Sequence, residues 1–241
     1  ADTLWIALAG LVIAGIVKGA TGIGYASCAL PFLATAIGLK AAMGLVVVPA
    51  MASNAMLLFT TGHLTATLKR FWSLYLSIIV GVCAGARAFS LIDQSMAAKL
   101  LGAVILLYGL QTFLKPNFSL SAKAEKALKM PTGFLNGLIT GLTGSQVIPL
   151  VPYMIALRLQ AAEMVQAINV AIIISSLFLG LGLLWSGVLS TQMLVLSCIA
   201  VAPALAGVQL GTFVRRHIRD RHFRSIVIVV LMLLGGVLIV R

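Results

Sequence analysis

Apolar residues run along this chain in long unbroken blocks, with polar residues confined to short intervals between them. Six blocks are long enough to cross about 30 Å of hydrocarbon as helices: 41–61, 71–92, 96–114, 164–185, 193–214 and 223–240. Four others, at 4–17, 25–37, 131–142 and 147–157, would reach only about 16 to 21 Å. The short blocks come as two consecutive pairs, each interrupted by a glycine-rich break. The order is short, short, long, long, long, and then the same again.

Residues repeat along with the blocks. Gly15–Gly22 (GIVKGATG) lies over Gly137–Gly144 (GLITGLTG), and four of the eight positions are identical, three Gly and one Thr. Pro31-Phe32-Leu33 answers Pro152-Tyr153-Met154, Gly62 answers Gly187, and Gly81/Gly85 answers Gly207/Gly211. Close helix packing through small residues is one use for such glycines. The pattern predicts an all-α integral membrane protein of two repeats, 1–115 and 131–241, joined by a basic cytoplasmic linker, 116–130. Pro49 and Pro203 fall inside long blocks and should kink them.

Composition removes the soluble alternatives. Hydrophobic residues make up 61% of the 241, charged residues 9%, and mean hydropathy is +1.13. A soluble domain carries about 25% charge. The net charge of +12 therefore points to cytoplasmic loops rich in Lys and Arg rather than to nucleic acid. If each short pair leaves and returns on one side, Lys40, Arg87, Lys99 and Arg241 fall on one face and the other 13 of the 17 basic residues on the opposite one. That bias places the 13 in the cytoplasm and predicts inverted halves with both termini on the outer, periplasmic side. The same parity holds if all ten segments cross, so re-entry of the short pairs stays open. The first block opens with Ala1-Asp2 and lacks a basic flank, and it reads as part of the mature chain rather than as a signal peptide.

Cys28, Cys83 and Cys198 lie in apolar blocks and His63, His217 and His222 in basic loops, so neither a metal site nor a cofactor is expected. The run Arg215–Arg221 could bind anionic lipid or simply set topology. The breaks carry the candidate chemistry. Irregular backbone at membrane depth is tolerated only inside protein or beside a watery cavity. Paired broken segments in matching positions point to a transporter's binding site. The helices after the breaks would present free N–H groups and partial positive charge, which suits an anion. Gly19, Gly22, Gly24, Gly141 and Gly144 would let backbone approach the ligand. Thr21 and Thr143 stand symmetrically beside the breaks, as helix caps or ligand contacts. Ser145 and Gln146 make the second break the more polar one.

Lys18 and Arg87 are further substrate-binding candidates, each with snorkelling to the interface as its alternative. Asn54, Gln166, Asn169, Ser175 and Ser176 in the third segment of each half serve either substrate or interhelical hydrogen bonds. No carboxylate sits at mid-segment, and no nucleophile–base pair appears at depth, so an intramembrane enzyme is disfavoured.

The motif G-x-x-x-G-x-T-G-x-G at Gly15–Gly24 followed by Pro31, with its echo at Gly137–Pro152, resembles the sulfite exporter TauE/SafE family, also described as the toluene-sulfonate uptake permease group. The resemblance spans nearly the whole chain. The second copy carries Ser145-Gln146 where further Gly would be typical. The resemblance implies an inner-membrane permease for sulfite, sulfonates or sulfoacetate. The expectation is a secondary transporter working by alternating access, with an anion channel as the alternative and an enzyme or receptor behind it. Partners are then a small anion and membrane lipid. The coupling ion, proton or sodium, and any homo-oligomer stay open.

Overall fold

The computed structural model describes residues 2–21, 24–58, 62–114, 119–215 and 220–240; the side chains of 2–4, 21, 56, 57, 215 and 220–224 are not described. Among these residues the chain is helical with no strand. The helices are α1 (Asp2–Thr21), α2 (Tyr25–Ile37), α3 (Leu39–Leu58), α4 (Leu64–Leu91), α5 (Gln94–Leu114), α6 (Ala122–Thr143), α7 (Leu150–Ala156), α8 (Ala161–Trp185), α9 (Thr191–Ile199), α10 (Val201–Arg215) and α11 (Asp220–Val240).

Among the described residues four helical stretches are long and apolar enough to cross a membrane: α4, α5, α8 and Thr191–Val214 across α9 and α10. Two other expected spans correspond to shorter apolar stretches, Leu39–Ala55 of α3 and Ser225–Val240 of α11. Trp72, Leu76, Leu107, Leu110, Leu181, Phe213 and Leu233 point outward and are exposed. Water would penalise such a surface, whereas hydrocarbon accepts it.

Glycine decides how several of these helices meet. On one side Gly15 and Gly19 of α1 lie against α10. A Cβ on Gly15 would collide with Ala204 O, and one on Gly211 with Ile16 O. On the other side Gly81 and Gly85 of α4 lie against α6. There a Cβ on Gly85 would collide with Leu138 O, and one on Gly137 with Ile78 O. In both seams the residue numbers rise together, so each pair runs parallel. The glycines of one seam are those aligned in sequence with the glycines of the other. Helix α5 meets α11 through glycine too, with Gly102 against Gly235 O, but Gly109 meets Met232, so this pair runs antiparallel.

Several segment bounds differ from the sequence expectation. The first segment is not short: α1 has 20 residues, about 30 Å of helix. The second half of the linker is not a loop, because α6 starts at Ala122. Ser121 caps it, its Oγ accepting from Ala124 N at 3.3 Å, and Glu125 favours the positive helix end. Conversely, the segment expected at 147–157 shortens to the seven residues of α7. Pro149 disfavours helical geometry at Ile148, so the helix cannot begin earlier.

The expected span 193–214 divides at Ala200, three residues before Pro203. Pro49 sits inside α3 and leaves Leu45 O without its usual donor. Ser197 of α9 supplies one: its Oγ donates to Leu45 O at 2.9 Å and accepts from Val48 N at 3.2 Å.

The α6–α7 pair is a hairpin. Leu120 N, just ahead of α6, donates to Ala156 O at the end of α7 at 2.9 Å, and Tyr153 OH donates to Glu125 O at 3.0 Å. The pair therefore enters and leaves at one end. Helices α1 and α2 also fold back on each other, with Gly10 against Phe32 and Leu33. At the open end of the α6–α7 hairpin, Arg70 of α4 pairs with Glu125 of α6 and Glu163 of α8, both at 3.0 Å.

Candidate functional site

The first break ends at Gly24, whose φ of +84° is left-handed backbone that favours glycine, and no side chain caps the N-terminus of α2. The second break begins at Gly144, φ +74°, which closes α6 through Gly144 N donating to Thr140 O at 2.7 Å. The left-handed backbone favours glycine there, and a Cβ at this position would stand 2.7 Å from Leu30 Cδ1, whose side chain would have to shift.

Side chains of α6 hold the second break in shape. Asn136 Nδ2 donates to Gln146 O and to Ile148 O, both at 3.2 Å. Thr140 Oγ1 stands 2.8 Å from Asn136 O and 3.0 Å from Ser145 O. Ser145 N donates to Thr143 Oγ1 at 3.2 Å. The carbonyls of 145, 146 and 148 thus find donors inside the protein, as buried backbone must.

The two breaks meet. Ser27 Oγ, one turn into α2, lies 3.3 Å from Ser145 Oγ. Gly24, Ser27, Cys28 and Ser145 line one cleft together with Val17, Tyr108 and a largely apolar wall from α5 and α11. A second, smaller cavity is bounded by Gly144, Gln146 and Ser176 with Ala26, Leu30 and Val47. Gln146 Nε2 donates to Ser176 Oγ at 2.7 Å and so ties the break to α8.

A family model described as Sulfite exporter TauE/SafE matches residues 6–238. The chain belongs to that family. No curated protein and no solved structure matches it. As a TauE/SafE chain it is a multi-pass membrane protein of a transporter family for sulfite and related sulfur anions.

Within this TauE/SafE chain the expected site residues separate into groups. Gly24, Gly144, Ser145 and Gln146 border the cavities. Lys18 is buried at 2% exposure, in the last turn of α1, and its Nζ donates to Asn54 Oδ1 at 2.5 Å. Asn54 Nδ2 donates to Ala50 O at 2.6 Å, which turns the amide oxygen toward the lysine. Lys18 and Asn54 line neither of these two cavities, although Val17 and Cys28 beside them line the first, and the buried lysine does not snorkel outward. Thr143 is buried and spends its hydroxyl on Ile139 O and Ser145 N, so it acts as a local cap. Asn169 and Ser175 are buried in α8; among the described residues Asn169 Oδ1 and Ser175 Oγ have no hydrogen-bond partner. Arg87 is exposed on α4 and borders neither cavity. Gly22 and the Thr21 side chain lie outside the described residues.

Gly19 and Gly141, expected beside the ligand, instead face helix backbone in the two seams: a Cβ on Gly19 would meet Val208 O, and one on Gly141 comes to 2.6 Å from Gly85 Cα. Sequence reasoning missed Asn136, Thr140 and Ser27. Asn136 and Thr140 each precede a seam glycine in sequence but turn toward the break, whereas Gly137 and Gly141 meet α4. That one polar side chain per turn beside a glycine stripe should brace a facing loop is a signal visible only with the break already folded back. Among the described residues no group of His, Cys, Asp and Glu could hold a metal ion.

Proposed function

We propose that this TauE/SafE chain is a secondary transporter that carries a small sulfur-containing anion, sulfite or a sulfonate, by alternating access. The anion sits where the two breaks meet, against the uncapped N-terminus of α2 and the polar second break. Ser27, Ser145, Gln146 and the free N–H groups at the start of α2 donate to it. The observation that carries the reading is the single cleft bordered by Gly24 and Ser27 from one half and by Ser145 from the other. Helix N-termini at the centre of a repeat interface are suited to anionic groups.

The shortness of α7 shifts the expected balance: its seven residues leave the second half to contribute the extended backbone and side chains at 145–148 rather than a second helix end. The exchanged glycine seams support two inverted halves, 1–115 and 131–241, with both termini periplasmic in the inner membrane. Thr21, Gly22, Asn54, Thr143, Asn169 and Ser175 form the surroundings of the site in this reading, and Arg87 has no part in it.

Counterflow in proteoliposomes tests the proposal. Vesicles preloaded with unlabelled sulfite should accumulate labelled sulfite transiently above its equilibrium level. Gly144→Val, which forces a side chain into left-handed backbone and into Leu30, should abolish that overshoot while the protein still purifies as a single species. Linear, non-saturating flux without overshoot would make the chain a channel; no sulfite movement in either assay would remove the transporter reading.

A further inference from the structure

We propose that Lys18 is the coupling residue of the transporter: a monovalent oxyanion and one proton move together, the proton carried on the Lys18 amine. This rests on the transporter reading above and adds to it the charge of the substrate and the identity of the co-transported ion.

The argument starts from charge. Lys18 is almost completely buried, and its described partner, Asn54, is neutral. Among the described residues it forms no ion pair. Glu125 and Glu163 are both engaged by Arg70 at the open end of the α6–α7 hairpin, and Asp93 is exposed between α4 and α5.

The elements around α1 bring no described anion either. Helix α2 contributes Tyr25 and Cys28, with the thiol close enough to interact electrostatically. Helix α3 contributes Asn54, its Lys40 lying at the opposite end. The ionisable residues of α10 and α11, namely Arg215, Asp220, Arg221, His222 and Arg224, are confined to the ends of those helices, and their side chains are not described. Tyr108 of α5 borders the neighbouring cleft, and the second break presents Ser145 and Gln146, which do not ionise.

The protein therefore supplies one positive charge at this depth and no described negative one. Burying an ammonium without a counter-charge is costly, and only two events remove that cost. An anion can arrive, or the ammonium can lose its proton. A single negative charge balances Lys18; a dianion leaves one charge uncompensated. When the anion departs, an N–H bond of the ammonium breaks, its electron pair stays on Nζ, and the proton passes to water on the side of release. The neutral amine still donates an N–H to Asn54 Oδ1, so the same hydrogen bond holds both states while the empty carrier returns. Reloading takes one proton and one anion from the other side. The cycle moves both in one direction and carries no net charge.

The test uses the full chain in proteoliposomes with a trapped pH dye and labelled methanesulfonate. As the anion of a strong acid, methanesulfonate takes up no proton at any working pH, so protons that move belong to the protein. An inward methanesulfonate gradient should acidify the lumen by one proton per anion, at a rate that clamping the membrane potential leaves unchanged. Lys18→Arg keeps a cation that does not give up its proton, so counterflow should persist while net uptake falls about tenfold or more. Lys18→Met should lose both. Methanesulfonate uptake without acidification, exclusion of methanesulfonate by a protein that exchanges sulfite, or wild-type net uptake by Lys18→Arg would each overturn the inference and leave the transporter reading intact. Absence of exchange for both anions in folded protein would remove the transporter reading and this inference with it.

Discussion

Asn136 offers the sharpest test of how the second break is held. It is fully buried on α6, and its amide reaches two backbone carbonyls of the break, Gln146 O and Ile148 O, both at 3.2 Å. Asn136→Ala removes both bonds. Neutral hydrogen bonds contribute about 0.5–1.5 kcal/mol each to soluble folds, whereas polar pairs inside membranes average about 0.6 kcal/mol, because the unfolded chain also finds partners there. Two bonds then predict a loss of about 1–3 kcal/mol. The lower end applies if water enters the break and hydrates the carbonyls. The upper end applies if it stays dry.

Asn169→Ala is the control. That amide is also buried and, like Asn136, has an Oδ1 with no hydrogen-bond partner among the described residues, but it donates to Val165 O, one turn away in its own helix, rather than to the break. Its removal should cost less than about 1 kcal/mol. Reversible unfolding in mixed micelles measures both variants, and sulfite binding to the folded fraction reports whether the break has moved. Asn136→Ala should be the less stable of the two and should bind sulfite more weakly. Equal stability of the two variants, or unaltered sulfite binding by Asn136→Ala, would refute the idea that this side chain shapes the site.

The glycine seams make a symmetric expectation. Gly85→Val and Gly211→Val each drive a side chain into the facing helix backbone and should both prevent accumulation of folded protein, whereas Gly62→Asn and Gly187→Asn, in left-handed backbone with open space around them, should express normally; a thermal-melt comparison of the four in detergent checks this. Topology is read by cysteine labelling in intact cells: Ser121→Cys and Asp220→Cys should react only after the membrane is permeabilised. Labelling of Asp220→Cys from outside would contradict periplasmic termini.

Much of the architecture was legible because the membrane simplifies the code. Long apolar blocks and glycine spacing sufficed to give the helical class and the order of segments, and the aligned glycines Gly15, Gly81, Gly137 and Gly207 proved to be those at which helix backbones touch. Bounds failed where apolarity and helicity part company. Ala122–Met130 is helical although it is basic, since Ser121 caps it and the positions facing Arg70 and Phe71 are occupied by Glu125 and Lys129. Residues 147–149 are apolar yet not helical, because Pro149 restricts the residue before it.

The site was legible in its backbone and much less so in its side chains, and the reason is physical. A glycine at a break announces a turn or a close approach wherever it occurs, so Gly24 and Gly144 could be named without knowing their neighbours. A polar side chain inside a membrane protein announces only that it needs a partner, and the partner is set by packing between segments far apart in sequence. Thr140 and Lys18 occupy matching positions of the two repeats and illustrate the difference. Thr140 bonds within its own hairpin, to Ser145 O, and its role there is to hold the second break. Lys18 crosses to α3 and finds Asn54. In the proposed reading of two inverted halves, divergence at this pair of positions leaves Thr140 to brace the site and Lys18 to charge it. An asymmetric charge in a symmetric scaffold is what a carrier of a single anion requires: two lysines related by the repeat would demand two negative charges or leave one ammonium unbalanced in each empty state.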